Sequence, residues 1–322
     1  MRRFQSFLAP AMQSFFAFQE AADRWNGTYE QNIHLFDAHC FNVFPEENAL
    51  TKEMVDSWCR QRKTESGNSC RVRVYAVANF INYLRVRGHT DITPPDIPRM
   101  ARSGYVPHAF TSEELSAFFH ASDSLPSRPG SRTVKARGLI VPVFFRLLYS
   151  SGIRTNEARH LGVDDVDMPQ GILSIEKSKG RSQRYVALHD TMTALLMKYD
   201  SEIREIYPAR TFFFPSPRGS FLSNSWVVYN FNQLWGKVST SRATAYCLRH
   251  NYAVENINQW DGDGFESFSK IVCLSKSMGH ASLESTKGYF HLVPAMSNIL
   301  QSLSGEGFDG IVPEVCDEKS YW

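Results

Sequence analysis

Between Thr90 and Pro107 the chain reads TDITPPDIPRMARSGYVP, with four prolines, one glycine and no apolar period. A regular helix or sheet interior does not survive such a run. Each proline lacks an N–H and biases the residue before it toward extended backbone. Residues 1–90 and the region from 108 onward must therefore build separate cores, with 91–107 as an interdomain linker. A chain of 322 residues, 43% of them hydrophobic, has the material for two.

The first ninety residues read as four amphipathic helices, a small bundle. Phe7, Leu8, Ala11, Phe15 and Phe18 form one stripe. Thr28 with Gln31 has the form of a capping box for a second helix through Ile33, Phe36, Cys40 and Phe44. Thr51 is placed to cap a third through Met54, Val55 and Trp58. Cys70, Val74, Val77, Ile81 and Leu84 recur four and three apart in a fourth, and Gly88 follows as its stop.

Net charge is only +2, but it is unevenly placed. From Arg60 to Arg102 there are nine Lys or Arg against three acids. A local basic face of this kind fits a polyanion partner, and Arg60, Arg62, Lys63, Arg71, Arg73, Arg85 and Arg87 are its candidate DNA contacts. Arg71, Arg73, Arg85 and Arg87 are read as lying off the apolar stripe and open to a partner. The six cysteines are scattered without metal-ligand spacing, as expected of thiols in a reducing compartment. The N-terminal apolar run has a helical period and is broken by Gln13 and Ser14, unlike a signal peptide, and no run of about 18 apolar residues suggests a membrane span. A cytoplasmic location is expected.

Beyond the linker, Thr111 and Glu114 form a capping-box candidate, and GLIVPVFFRLLYS at 138–150 reads as an apolar helix closed by Gly152. ILSI at 172–175 and RYVAL at 184–188 read as a β-hairpin with the basic tip KSKGRSQ. A helix through Met192, Leu195, Leu196 and Tyr199 follows, then FFFPSPRG at 212–219 as a strand or extended segment, then helices at 223–238, 242–258, 267–278 and 282–290. The Asp/Gly-rich stretch at 259–267 lacks the full spacing of a calcium loop and reads as a plain loop.

Three segments of this second half carry chemistry. SGIRTNEARHL at 151–161, YCLRH at 246–250 and MGHASLESTKGYFH at 278–291 supply Arg154, Arg249, His280 and Tyr289 among others, and the hairpin tip adds Lys179. Metal-free cleavage of a phosphodiester asks for this set. Guanidinium groups neutralise the non-bridging oxygens and keep their protons at neutral pH, a nucleophile attacks in line, and a proton reaches the leaving oxygen. Arg154 and Arg249 are candidate phosphate clamps, Tyr289 the candidate nucleophile, Lys179 the candidate general acid and His280 a phosphate hydrogen-bonder or positioning group. Each alone has a bland reading: a surface arginine, a turn lysine, a capping histidine, a core tyrosine. Together, in this order, they point to one anionic site.

The segments resemble the tyrosine recombinase, or phage integrase, family. Its G-[LI]-R-x-x-E-[AL] motif is matched by Gly152, Ile153, Arg154, Glu157 and Ala158. Its hairpin pattern K-G-x-x-x-R-x-V-x-L is matched by Lys179, Gly180, Arg184, Val186 and Leu188. Leu248, Arg249 and His250 fit H-x-L-R-H, and Met278, Gly279, His280 and Tyr289 fit [LM]-G-H followed nine residues later by tyrosine. One position departs: Tyr246 stands where the family has the first histidine of H-x-L-R-H. A phenol there donates a hydrogen bond but brings no positive charge.

The resemblance implies a mainly α fold with a small β-sheet. An N-terminal helical core-binding domain (a SAM-like bundle, 1–90) would precede a catalytic α+β domain (108–292), and a tail (293–322) would dock on a neighbouring protomer or pack on its own domain. It implies DNA cleavage and rejoining through a 3′-phosphotyrosyl intermediate without metal or other cofactor, with Arg154, Lys179, Arg249, His280 and Tyr289 catalytic, Tyr246 replacing a catalytic histidine, and Glu157 and His250 supporting. Implied partners are double-stranded recombination sites, three further copies of the chain in a tetramer, and accessory DNA-bending or directionality proteins; a membrane is not among them. Integration or excision of a mobile element is the expected role. A resolvase or invertase, a type IB topoisomerase-like enzyme and a catalytically impaired DNA-binding regulator are the alternatives.

Overall fold

The computed structural model describes residues 3–22, 24, 27–101, 106–125, 131–176, 183–258, 266–280 and 282–287. The chain divides into two compact units, Met1–Tyr105 and Val106–Trp322. The division falls inside the proline-rich segment, most of which goes with the N-terminal unit.

That unit holds α1 (Ala9–Ala21), α2 (Gly27–Val43), α3 (Lys52–Cys59) and α4 (Gly67–Val86). Met12, Ile33, Phe36, Cys40, Met54, Val77, Phe80 and Ile81 are fully buried between them. Each large apolar side chain so removed from water contributes about 1.5–3 kcal/mol. Local chemistry sets the ends. The Thr51 hydroxyl accepts from Met54 N at the start of α3, and Ser66 from Ser69 N at the start of α4. After α4, Gly88 takes φ 71°, Gly88 N donates to Arg85 O and His89 N to Leu84 O, a Schellman closure. Mid-α2, the buried Asp37 carboxylate accepts from Gln5 N, Ser6 N and Ser6 Oγ and so ties down the start of α1.

Three readings need correction here. The buried face of α1 is Met12, Phe15 and Phe16, while Phe18 is 42% exposed beneath the Arg87 guanidinium. Thr28 lies within α2 instead of capping it. Arg73 is not open to a partner: it is 4% exposed. It donates to both Glu65 carboxylate oxygens and to the carbonyls of Trp58 and Arg60. Position 73 follows Cys70 by three and precedes Val77 by four, so it belongs to the apolar face of α4, and a guanidinium there needs a buried carboxylate. The same pairing holds the Glu65 carboxyl below its usual range.

The second unit begins with α5 (Ser112–Asp123), opened by the reciprocal Thr111/Glu114 capping box. α6 (Arg132–Ser151) is its spine, starting six residues earlier than the apolar run implied, and packs against α5, α7 (Thr155–His160), α8 (Asp190–Ile206) and α10 (Ala245–Asn258). Phe144, Phe145 and Leu147 of α6 are fully buried. Between α7 and α8 lies an antiparallel sheet ordered β1 (Val166–Asp167), β2 (Ile172–Ile175), β3 (Arg184–Ala187). The hairpin register sets Ile175 opposite Arg184 and Leu173 opposite Val186; the short β1 is an addition to the sequence reading. Residues 212–221 form bridges, Gly162 with Phe212 and Pro215 with Phe221, in place of a regular strand. α9 (Asn224–Trp235), α10, α11 (Glu266–Met278) and α12 (Glu284–Lys287) complete the described residues. No helix among them is long and apolar enough to cross a membrane.

Candidate active site

Two glycines aim the site. α6 ends at Gly152 in the left-handed region (φ 62°), whose N–H donates to Leu148 O, and the chain turns through the buried Ile153 to Arg154. α11 ends the same way. Gly279 has φ 66°, Gly279 N donates to Lys276 O and His280 N to Ser275 O. Neither position has room for a side chain. A Cβ on Gly152 would enter the Tyr252 ring, and one on Gly279 would lie 2.7 Å from Nη1 of Arg184. Glycine is thus required twice over, for backbone and for space.

Arg249, on α10, joins the two turns. The residue is 1% exposed, and its guanidinium donates to Gly152 O, to Met278 O (2.8 Å) and to Nε2 of His280 (3.0 Å). Those carbonyls lie at the C-terminal ends of α6 and α11, where helix dipoles present partial negative charge to a cation. Arg154 donates to Gly279 O and, through Nη1, to Glu157 Oε1 (2.8 Å). Glu157, its side chain 2% exposed, also takes a forked pair from Arg184 on β3, at 3.1 and 2.7 Å, and Arg184 Nε reaches Ser277 O at 2.6 Å. Burial pushes the Glu157 carboxyl up, but the Arg184 and Arg154 hydrogen bonds and the Arg184 charge outweigh it, leaving the group ionised below its ordinary range.

Among the described residues the network sets three guanidiniums against one carboxylate, because the histidines stay neutral. An arginine only donates, so Nε2 of His280 accepts, and Nδ1 carries the proton toward Thr286 Oγ1 at 2.7 Å. Burial first, then the charges of Arg249, Arg154 and Arg184, lowers the His280 pKa to about 4. Burial and Arg249 bring His250 to about 4 as well. Tyr246, one turn before Arg249, is 42% exposed and meets His250 edge-on at 4.8 Å between ring centroids.

The structure thus brings Arg154, Glu157, Arg249, His250, His280 and Tyr246 into one contiguous network across α6–α7, α10 and α11. Lys179, within 177–182, and Tyr289, within 288–322, lie outside the described residues. Arg249 holds His280 and both turns through its named partners, and Arg154 is the more open guanidinium, with 20% of its side chain exposed. Arg184 is the residue whose part the sequence reading missed. The signal was available, since β3 alternation places 184 on the buried face with Val186. Among the described residues no group of three His, Cys, Asp or Glu is placed to hold a metal ion.

A fold of this kind is found in solved DNA recombinases. The XerH site-specific recombinase bound to its difH substrate superposes with a TM-score of 0.59 at 20% identity, covering 82% of this chain and 76% of that one. A lambda integrase tetramer on a Holliday junction gives 0.55 at 16% identity, covering 85% and 77%. In sequence, the Sinorhizobium fredii protein y4rE, provisionally named an integrase/recombinase, is 28% identical over 230 residues, 70% of this chain and 73% of that protein. Residues 108–296 match the phage integrase family, and the chain belongs to it. It is a tyrosine recombinase, of a class of DNA strand-transferring enzymes.

Proposed function

We propose that the protein cuts and rejoins duplex DNA at specific sites with Tyr289 as nucleophile, integrating or excising a mobile element. The phenolic oxygen of Tyr289 passes its proton to solvent water and attacks the scissile phosphorus. The bond to the 5′ oxygen breaks, and that oxygen takes a proton from Lys179, leaving a 3′-phosphotyrosyl link and a 5′-hydroxyl. The 5′-hydroxyl of a partner strand reverses the step. Bond energy is kept in the phosphotyrosine, so the exchange calls for no nucleoside triphosphate. Arg154 and Arg249 meet the non-bridging oxygens, Arg249 and Glu157 also hold the arginine–histidine frame, neutral His280 positions it, and Tyr246 donates a hydrogen bond where the family has histidine.

The observation that carries this reading is the convergence of Arg154, Arg249 and His280, from three separated segments, onto two glycine turns with a surplus of positive charge. The N-terminal unit serves as the core DNA-binding domain, through Arg60, Arg62, Lys63, Arg85 and Arg87, and residues 108–292 as the catalytic domain. Four copies act on two sites, with residues 293–322 docking on a neighbour; the tetrameric state of lambda integrase supports this assembly. DNA-bending or directionality proteins assist, and the enzyme works in the cytoplasm at the nucleoid.

Nicked suicide duplexes from the ends of the protein's own genetic element test the proposal. A covalent protein–DNA adduct is expected, kept in Tyr246→Phe and lost in Tyr289→Phe. Loss only in Tyr246→Phe overturns the choice of nucleophile. The neutral phenol of Tyr246 favours a second reading, a binding-only regulator; sequence-specific binding with no adduct from any variant would establish it.

A further inference from the structure

The proline-rich segment does not hang free of the N-terminal unit. Ile92 packs against that unit's core. Nine residues on, the chain is fastened to the first turns of α4. Asn68 Nδ2 donates to Ala101 O at 3.1 Å while Ala101 N donates to Asn68 Oδ1 at 2.9 Å, and Arg71 Nη1 donates to Pro98 O at 2.6 Å. The second unit fastens its own end: His108 Nε2 meets Glu114 Oε2 at 2.8 Å, and its ring lies edge-on to Phe110 and Trp235. Arg71 was grouped by charge with the DNA contacts, yet its guanidinium faces a carbonyl of its own chain.

We propose that Asn68 and Arg71 are positioning residues that shorten the tether between the two units, and that Arg71 is not a phosphate contact. This rests on the proposed DNA binding by both units. With the fastening in place the tether runs from Ala101 to Val106, about 5 residues and at most about 17 Å; without it, from Ile92, about 14 residues and about 50 Å. Once one unit is on DNA, the local concentration of the other falls roughly as the −3/2 power of tether length, so releasing the strap weakens full-length binding roughly fivefold. A phosphate contact behaves differently, because losing it lowers the slope of log K against log salt by about 0.9.

The experiment compares the full chain with Asn68→Ala, Arg71→Met, the double variant and Arg60→Ala, after confirming unchanged thermal midpoints. Two quantities are read: the affinity for the duplex site across a salt series, and the rate of tryptic cleavage after Arg99, an exposed residue within the strap. Asn68→Ala and Arg71→Met should both weaken binding with an unchanged salt slope and speed cleavage after Arg99, and Arg60→Ala should lower the slope and leave cleavage alone. A slope lowered by Arg71→Met, or cleavage after Arg99 unchanged in the double variant, overturns the proposal. If wild type binds no duplex, the proposed function fails, and the cleavage rates still decide whether the strap exists.

Discussion

Replacing Glu157 with glutamine is the sharpest test of the arginine frame. The change keeps shape and removes charge. The carboxylate accepts four hydrogen bonds: Arg154 N (2.8 Å), Arg154 Nη1 (2.8 Å), Arg184 Nη1 (3.1 Å) and Arg184 Nη2 (2.7 Å). Whichever way the amide is turned, its NH2 replaces one acceptor oxygen and faces two donors. Two charge-assisted bonds are lost at about 1.5–3 kcal/mol each, and Arg184, its side chain 7% exposed, loses its counter-charge. Removing one partner of a buried pair costs about 3–5 kcal/mol, which agrees. Urea unfolding at pH 7 should show that loss for Glu157→Gln. Arg184→Met should lose a similar amount, and the double variant should lose about 2–3 kcal/mol less than the sum. The sign with pH follows from the lowered carboxyl pKa. The stabilisation is full above the ordinary value of 4.5 and is lost as pH falls through the folded value, so the wild type and Glu157→Gln curves should converge in that acid window. A loss under about 1 kcal/mol, or strict additivity, would refute the frame.

Other substitutions probe separate parts of the same account. Gly279→Ala should lower stability by about 1–2 kcal/mol from the left-handed backbone alone, and further by displacing Arg184; thermal unfolding with and without Arg184→Met reads both parts. Imidazole NMR titration, assigned with His280→Gln, should find His280 neutral down to about pH 5, with its midpoint near 4; a midpoint near 6.5 would mean that the three guanidiniums do not surround it. Because the pKa values of His280 and His250 are lowered on folding, stability should fall as pH drops from about 6.5 toward 4, when the unfolded chain binds the protons first. Asp37→Ala should destabilise the N-terminal unit by about 2–3 kcal/mol through two orphaned backbone donors and Ser6 Oγ, without altering the salt slope of DNA binding.

What could be read from sequence followed the range of the interaction. Thr51, Gly88, Thr111 and Gly152 act on residues three to five away, and their caps and turns were legible. Arg73 and Arg184 act across elements. Their spacing placed them on buried faces, but nothing local named Glu65 or Glu157 as the carboxylate that makes such burial tolerable. Arg249 shows the same limit from the other side. A charge in an apolar helix announces a partner, yet its partners are two main-chain carbonyls and an imidazole that only the closed fold brings together. The strap at Ala101 was hidden for a different reason, since proline-rich composition reports what a segment cannot form and says nothing of where it rests.

One consequence of the two glycine turns concerns the order in which the protein is made. Arg249 leaves the ribosome about thirty residues ahead of Met278 and His280, two of its three named acceptors. Until those late residues dock, the cation at the centre of the site lacks the surroundings that make its burial tolerable. A nascent chain therefore holds α6 and α10 before it has the turn that completes the Arg249 surroundings.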